Sequence, residues 1–401
     1  MVRRETRGNV NNFVYNATGE LFSPRGIFYG HDILPGFTDV HVHLREPGFF
    51  YKETIKTGTK SAAAGGFTNV ITMPNLNPVP DSCEHLKEQT DIIAQDACIG
   101  TYPLASITKG EHGTELSDIE NLAPYVKGFS DDGVGVMDDG LMREAMERIK
   151  EAGSIAVAHC EDTRYPRESR QAEYKQLERD LKLADMTGCP YHMCHVSTID
   201  SIQLLREAKA SHVDVTCETA PHYLTIANNE IEDDGRFKMN PPLKTANDKA
   251  ALIEAVLDGT IDMIATDHAP HSAEEKAKGF AGSAYGIVGL ETAFPVLYTK
   301  LVRKGLLPMD RLLTLLTDAP NDRFHIPAAD HCGAIHVDES FDSAALAETF
   351  TVWDLQTPYI IEPDKFQSKG KSTPFAGWEV YGKCVMTVYQ GQVVHFDQME
   401  K

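Results

Sequence analysis

The sequence predicts an α/β fold, a (β/α)₈ TIM barrel, on three observations. From Ile33 to about Leu316, short apolar runs alternate with amphipathic stretches, which is typical of parallel β/α units. Eight such units fit this length, and eight favour a closed barrel over an open sheet, whose strands would usually be fewer. Hydrophilic residues directly follow several of the apolar runs, as they do where barrel strands end at an active site.

The predicted strands are the short apolar runs bounded by turn residues: Gly36–His43, Asn69–Met73, Ile99–Ala105, Val126–Ser130, Ile155–His159, Tyr191–His195, Val213–Glu218 and Met263–Thr266. The predicted helices have apolar residues three and four positions apart: Lys52–Ala64, Cys83–Ala94, Gly140–Glu151, Gln171–Met186, Thr198–Ala210, Asn247–Leu257 and Glu291–Lys304. We therefore divide the chain into an N-terminal segment (1–32), the barrel (33–325) and a C-terminal part (326–401).

The composition limits the classes of partner. With 38 Lys and Arg against 59 Asp and Glu, the net charge is −21, so nucleic acids and anionic membranes would be repelled. No run approaches the roughly 20 apolar residues of a membrane helix, and the basic start lacks the apolar segment of a signal peptide. The eight cysteines form no Cys-x-x-Cys pair, which indicates reduced core residues. We expect a cytoplasmic protein that acts on a small molecule.

Residues 39–48 (DVHVHLREPG) carry the strongest local signal. His41 and His43 are two positions apart on a predicted strand, so their side chains point to the same face. Two imidazoles on an inward face suit a transition-metal ion, and Arg45 just beyond them suits a carboxylate. The alternative is a pair of satisfied core histidines beside a solvated arginine, so the motif needs partners elsewhere in the chain.

Candidate partners stand at the ends of other predicted strands, which meet at one face of such a barrel. They are Asn75 after the second strand, Asp131 and Asp132 after the fourth, His159 and His195 ending the fifth and sixth, and Asp267 after the eighth. Four histidines with one terminal and one bridging aspartate suit two metal ions, with Zn²⁺ favoured over Mn²⁺, Co²⁺ or Fe²⁺. The predicted reaction class is metal-assisted hydrolysis or its reverse.

Eight sequence blocks, in order, contain these residues: 39–48 (DVHVHLREPG), 72–75 (TMPN), 127–133 (KGFSDDG), 158–161 (AHCE), 194–198 (CHVST), 238–243 (KMNPPL), 265–271 (ATDHAPH) and 285–289 (YGIVG). Together they resemble the amidohydrolase superfamily and, within it, the bacterial class I dihydroorotases. The resemblance implies reversible hydrolysis of a cyclic amide, the interconversion of N-carbamoyl-L-aspartate and (S)-dihydroorotate in pyrimidine biosynthesis.

By position, the resemblance implies two zinc ions per subunit, bridged by a hydroxide and a carboxylate. One ion would be held by His41, His43 and Asp267, and the other by His159 and His195.

The bridging ligand has three candidates. The spacing to His159 favours Asp132 over its neighbour Asp131, and many relatives use a carboxylated lysine, for which Lys127 remains an alternative.

The resemblance also implies roles in catalysis and substrate binding. Asp267 would move the proton from the attacking oxygen to the leaving nitrogen. Arg45 would bind the substrate carboxylate. The remaining contacts would come from Asn75 and His271 at that end of the substrate, and from Asn240, Tyr285 and Gly286 at the ring amide. Asn75 after Met-Pro and Asn240 before Pro-Pro could equally be turn residues.

Relatives usually carry a small β-sandwich built from both chain termini. Only about 32 residues, mostly polar, precede the first predicted barrel strand here, so we expect a reduced sandwich that lacks N-terminal strands. A hairpin turn is predicted at Gly391 and Gln392. The polar stretch 272–284 is predicted to be a mobile loop over the site.

Two other functions compete with this prediction. One is a different cyclic amidase, such as an allantoinase or hydantoinase, whose substrate lacks the ring carboxylate and would leave Arg45 without a partner. The other is a non-catalytic homologue that serves as a scaffold for aspartate transcarbamoylase. We expect a homodimer, with association with aspartate transcarbamoylase as a further interaction.

Overall fold

The computed structural model describes residues 30–327, 334–336 and 348–397, together with two short strands near the N-terminus. The strands are β1 (Val14–Tyr15), β2 (Leu21–Phe22), β3 (Asp32–Leu34), β4 (Phe37–Val42), β5 (Phe67–Thr72), β6 (Gly100–Pro103), β7 (Ala156–Ala158), β8 (Tyr191–Met193), β9 (Val215–Thr219), β10 (Met263–Ile264), β11 (Ile335–His336), β12 (Phe350–Asp354), β13 (Tyr359–Ile360), β14 (Glu379–Val380), β15 (Lys383–Tyr389) and β16 (Gln392–Phe396).

Parallel strands close into a barrel, which confirms the predicted fold class. β4, β5 and β6 form one run, and β7, β8, β9 and β10 form another. The predicted fourth strand joins the two runs, because Phe129 forms parallel bridges to Ala105 on one side and to Ala156 on the other. At the opposite side, a parallel bridge between Val42 and His268 closes the ring.

The closing seam between the first and eighth barrel strands uses a side chain as well as the backbone. The His43 amide donates to the His268 carbonyl at 2.8 Å. Below it, the buried Asp39 carboxylate accepts from the Thr266 amide at 3.1 and 3.2 Å and from the His41 amide at 3.0 Å. Just below the strand ends, the Asp39 side chain thus accepts backbone hydrogen bonds that a carbonyl of the neighbouring strand would otherwise accept.

All seven predicted helices form, although the last is shorter and continues as a π-helix. The α-helices are Ile55–Ala64, Cys83–Asp96, Ile119–Leu122, Asp139–Glu151, Arg170–Thr187, Ile199–Ala210, Pro221–Thr225, Ala246–Asp258, Ala273–Lys276, Gly279–Gly282, Ala293–Leu297, Met309–Leu316 and Asp318–Phe324, and the π-helix is Tyr298–Val302. Short 3₁₀ helices are Lys109–Glu111, Ala123–Tyr125, Asn228–Glu230, Gly235–Phe237 and Pro363–Lys365. The predicted helices before residue 260 start at N-caps whose side chains accept a backbone N–H, as Thr54 and Ser169 do.

The accessory sheet has the strand order β11–β3–β12–β15–β16. β3 lies inside it and precedes the barrel, so the expectation that N-terminal strands are missing is wrong for this strand. Pro35 and Gly36 separate β3 from the first barrel strand, and Ile33 packs in the accessory core. The hairpin turn lies one residue earlier than predicted, because Tyr389 pairs with Gln392.

Trp353 of β12 seats this sheet against the barrel. Its ring lies 5.4 Å from the Phe37 ring and 4.3 Å from the Phe294 ring, between centroids. Gly66 makes this contact achievable, because a Cβ atom at this position would come within 2.2 Å of the Trp353 ring. Gly66 also has a φ of +80°, a conformation that favours glycine.

Two predictions from composition can be compared with the structure. Among the described residues, no helix is long and apolar enough to cross a membrane. The seven cysteines of this part of the chain are free thiols, and Cys160, Cys189, Cys194, Cys217 and Cys384 are buried, as expected for core residues. Cys332 lies outside the described residues.

Candidate metal centre and active site

The six side chains predicted as metal ligands lie together at the carboxyl ends of the barrel strands. Each is at most 7% exposed: His41, His43, Asp132, His159, His195 and Asp267. These residues come from five different strands and face one another. This arrangement disfavours the alternative, in which the histidines are unrelated residues of the core.

The donor atoms of these residues fit a metal centre. Within the described part of the chain, His41 Nε2, Asp132 Oδ1 and His195 Nδ1 are buried without a hydrogen-bond partner. Two groups of three residues each bring one donor atom to within 4.8 Å of one another: His41 with His43 and Asp267, and His41 with Asp132 and His195. Buried imidazole nitrogens and carboxylate oxygens without partners are the donor set that Zn²⁺ and similar ions prefer.

The first predicted ligand group surrounds Asp267. Its Oδ1 lies 3.1 Å from His43 Nε2 and 3.6 Å from His41 Nε2. Burial acts to raise the pKa of Asp267, but the hydrogen bond with His43 and the charge of His41 outweigh it and leave this pKa below its usual range. Asp267 is therefore a carboxylate at neutral pH.

The second predicted group is the pair His159 and His195, whose Nδ1 and Nε2 atoms lie 2.8 Å apart. Burial, followed by the neighbouring His159 and His41, lowers the pKa of His195 to about 3. The neutral imidazole is the form that binds a metal ion.

Of the three candidates for the bridging ligand, the structure places Asp132 between the two groups. Its carboxylate oxygens lie 3.4 Å from His41 Nε2, 3.6 Å from His43 Nε2 and 3.8 Å from His159 Nδ1. Asp131 instead accepts from the amides of residues 107 and 108. The Lys127 ammonium donates to the carbonyl of residue 325, away from the imidazoles.

Three of the four histidines have a polar partner on their other ring nitrogen. His41 Nδ1 lies 2.7 Å from Glu218 Oε1, and His159 Nε2 lies 3.1 Å from Glu161 Oε2. Neither glutamate is among the predicted site residues. Glu218 ends the predicted seventh strand and Glu161 follows the fifth, so the strand-end rule could have found both.

Asn75 is the third of these partners, since its Oδ1 lies 2.9 Å from His43 Nδ1. Its Nδ2 donates to Asp132 Oδ2 at 3.3 Å. The residue predicted to contact substrate thus also orients two of the candidate ligands.

The backbone is unusual at three of the strand ends. Arg45, His195 and Asp267 have φ angles of +63°, +35° and +48°, which non-glycine residues seldom adopt. Such conformations concentrate at functional sites, because the surrounding structure has to hold them.

Arg45 lies near the ligands and is 8% exposed. Its Nε donates to the Pro270 carbonyl at 3.2 Å. The pKa of His271 is lowered to about 3, first by burial and then by the charges of Arg45 and Lys52. This imidazole is therefore neutral at pH 7, and its Nε2 donates to the Tyr285 carbonyl at 2.7 Å, which holds the start of the 285–289 block in place.

The other predicted substrate residues lie on two adjoining loops. Asn240 Nδ2 donates to Glu161 Oε2 at 2.7 Å and lies 3.2 Å from His159 Nε2. The Gly286 amide donates to the Lys238 carbonyl at 3.0 Å, so a substrate contact to this amide would have to replace that bond.

Tyr285 also lies at this mouth of the barrel. Its ring centroid is 4.6 Å from the Arg167 guanidinium and 4.5 Å from the Lys238 ammonium.

The stretch 272–284 contains two short helices and packs against residues 233–240. Lys276 Nζ donates to the carbonyls of Lys238, Ala284 and Gly286 at 3.1, 2.8 and 2.7 Å. The Phe280 amide donates to Asp233 Oδ1 at 2.9 Å. The mobility of this loop stays a prediction.

Known proteins resemble this chain in both sequence and fold. Residues 30–201 match the family model described as dihydro-orotase-like. A protein of Bacillus cereus named dihydroorotase is 44% identical over 383 residues, which cover 91% of this chain and 87% of the relative. One of Staphylococcus epidermidis with the same name is 45% identical over 384 residues, covering 91% and 88%.

Solved structures share the fold at lower identity. The L-hydantoinase (dihydropyrimidinase) of Arthrobacter aurescens has a TM-score of 0.79 at 24% identity, covering 91% of this chain and 85% of its own. The D-hydantoinase (dihydropyrimidinase) of a Thermus species has a TM-score of 0.77 at 24% identity, covering 92% and 86%. The sequence relatives, alike over nearly the whole chain, show that this protein belongs to the dihydroorotase family.

Proposed function

We propose that this protein is a dihydroorotase, which interconverts N-carbamoyl-L-aspartate and (S)-dihydroorotate in the pathway that makes UMP. The observation that carries the proposal is the meeting of six ligand residues at one barrel face with a buried arginine beside them. The relatives named dihydroorotase, 44 to 45% identical, support the same activity.

The proposed centre holds two zinc ions per subunit. His41, His43 and Asp267 would hold one, His159 and His195 the other, and Asp132 would be shared. Bound there, the ions would lower the pKa of a coordinated water to about 7 and polarise the amide carbonyl.

Asp267 is the proposed proton carrier. As a carboxylate at neutral pH, it accepts a proton from the attacking water and delivers it to the ring nitrogen as the C–N bond breaks. In the cyclisation direction the same carboxyl returns the proton. His43, 3.1 Å away, orients the carboxylate through Oδ1.

Arg45 is the proposed specificity residue. Its guanidinium can donate two parallel bonds to the ring carboxylate, with Asn75 and His271 at that end of the substrate. Asn240, Tyr285 and Gly286 would hold the ring amide. Hydantoin and allantoin lack the ring carboxylate, so they would leave this cation unpaired in a buried site.

Two measurements test the proposal. We expect a higher kcat/KM for dihydroorotate than for hydantoin or allantoin, and the reverse order would favour another cyclic amidase. We expect zinc to copurify with the protein, whereas less than one equivalent per chain after metal-replete expression would favour a non-catalytic scaffold.

Asp267→Asn should abolish turnover and leave the circular dichroism spectrum unchanged, because the amide cannot carry the proton. Activity near that of the wild type would contradict the role of Asp267.

The proposed setting is a homodimer in the cytoplasm, where the buried thiols would stay reduced. Sedimentation analysis alone and with aspartate transcarbamoylase tests the dimer and the further association. A monomer that does not shift with the added enzyme would contradict both.

A further inference from the structure

The Glu218 carboxylate lies between two imidazoles inside the barrel, below the predicted ligands. Its Oε1 is 2.7 Å from His41 Nδ1, and its Oε2 is 3.2 Å from His192 Nε2. All three residues are at most 1% exposed. Burying a charged carboxylate costs free energy unless hydrogen-bond donors compensate it. The two imidazoles must therefore direct a donor nitrogen at Glu218.

The contact with Glu218 determines which nitrogen of His41 carries the proton. An ionised carboxylate only accepts hydrogen bonds, so Nδ1 of His41 must be the donor. In the neutral form that binds a metal ion, the lone pair is then on Nε2, which lies 3.4 Å from Asp132 Oδ1 and 3.6 Å from Asp267 Oδ1. Nε2 is also the atom that lacks a hydrogen-bond partner among the described residues.

His192 fixes the carboxylate in turn. Its Nε2 donates to Glu218 Oε2, so its Nδ1 is left to accept from the Thr216 hydroxyl at 2.8 Å. Its ring packs edge-on against Phe324, with the centroids 5.2 Å apart. The Glu218 side chain is therefore held at both oxygens by buried imidazoles, and His192 is held in turn by Thr216 and Phe324.

We propose that Glu218, oriented by His192, is a positioning residue that holds His41 in the tautomer with Nε2 directed at the metal centre, and so sets the metal affinity. The inference rests on the metal centre of the proposed function, but not on its substrate. Losing such a partner of a ligating histidine typically costs 10- to 100-fold in metal affinity.

The test measures metal binding rather than turnover. Metal-free wild type, Glu218→Gln and a control variant are titrated with Co²⁺ against a competing chelator, and the visible Co²⁺ absorption is recorded. The control is Asp248→Asn, which removes an equally buried carboxylate whose partners, Arg170, Thr245 and the residue 199 amide, lie away from the centre.

We expect Glu218→Gln to bind Co²⁺ about 10- to 100-fold more weakly, with an altered absorption spectrum. Asp248→Asn should bind as the wild type does, even where its unfolding midpoint is lower. Equal affinity and an unchanged spectrum in Glu218→Gln would overturn the role of Glu218. Wild-type protein that binds no Co²⁺ would instead overturn the metal centre itself, so the two failures are distinguishable.

His192→Asn is a second variant that leaves Glu218 and His41 in place. It should weaken Co²⁺ binding several-fold, since the Glu218 carboxylate loses one of its two imidazole partners. Should Glu218→Gln fail to fold, this variant decides the question, and unchanged affinity would overturn the proposal.

Discussion

The two glutamates that contact predicted ligand histidines differ in where they lie. Glu218 faces His41 from inside the barrel and is 1% exposed, with both oxygens held by strand residues. Glu161 faces His159 from the mouth, where one oxygen accepts from Asn240 and the other from Arg167. The Arg167 side chain is 34% exposed.

This difference separates a fixed half of the centre from an adjustable half. The partners of Glu218 belong to barrel strands and cannot move without disturbing the core. Those of Glu161 belong to loops: Asn240 is itself a predicted substrate contact, and Arg167 is partly exposed. We therefore expect substrate binding to change the hydrogen bonds of His159 and to leave those of His41 as they are.

The largest effect should follow from removing the carboxylate that the two halves share. Asp132→Asn is expected to lower both metal affinity and kcat by more than about 100-fold, because it changes a proposed ligand rather than the partner of one. Metal analysis and steady-state kinetics measure this. Asp131→Asn is the matched control and should keep its metal, since Asp131 accepts from the amides of residues 107 and 108. Equal metal loss in both variants would contradict the assignment.

The next effect concerns a titrating group in the loops of the mouth. The pKa of Lys276 is lowered to about 8, first by burial and then by the charge of the neighbouring Lys238. The charges of Asp234 and Glu275 act in the opposite direction but do not outweigh these effects. Between about pH 8 and 10.5 the unfolded chain holds this proton and the folded chain does not, so folding is favoured as pH rises.

The free energy of unfolding of the wild type relative to Lys276→Met should therefore rise by about 3 kcal/mol across this interval. Urea unfolding at each pH measures it. Substitution of the exposed Lys182 by Met should show no such trend. A difference in free energy of unfolding between wild type and Lys276→Met that does not change with pH would contradict the lowered pKa of Lys276.

The smallest effect should come from the glutamate at the mouth. Glu161→Gln is expected to weaken Co²⁺ binding by about 10-fold or less, because the Glu161 carboxylate is held by the partly exposed Arg167 rather than by residues of the barrel strands. KM for dihydroorotate should rise as well, since Asn240 loses its acceptor. Chelator competition and kinetics measure the two effects. A larger loss of affinity than in Glu218→Gln would reverse the contrast between the two halves.

The sequence identifies the residues that meet at the strand ends better than the residues that contact them. His41, His159 and Asp267 follow apolar strands, so alternation along a strand and the common direction of barrel strands place them together. The contact between Glu218 and His41 joins residues 177 positions apart, and it depends on the tilt of two strands that no local pattern encodes.

Backbone geometry also lies beyond the sequence pattern. The left-handed conformations of His195 and Asp267 are opposed by local preference and exist because the surrounding fold holds them. The division at Pro35 is a different case, since proline itself marks the end of the accessory strand before the barrel begins.

The closing seam of the barrel has a consequence for its stability. His41 and His43 come from one side of this seam and Asp267 from the other, directly above the Asp39 carboxylate that joins them. An ion held by these three ligands would fasten the first strand to the last. Occupancy of the centre would then tighten the ring itself, and chelation would loosen the barrel where its two ends meet.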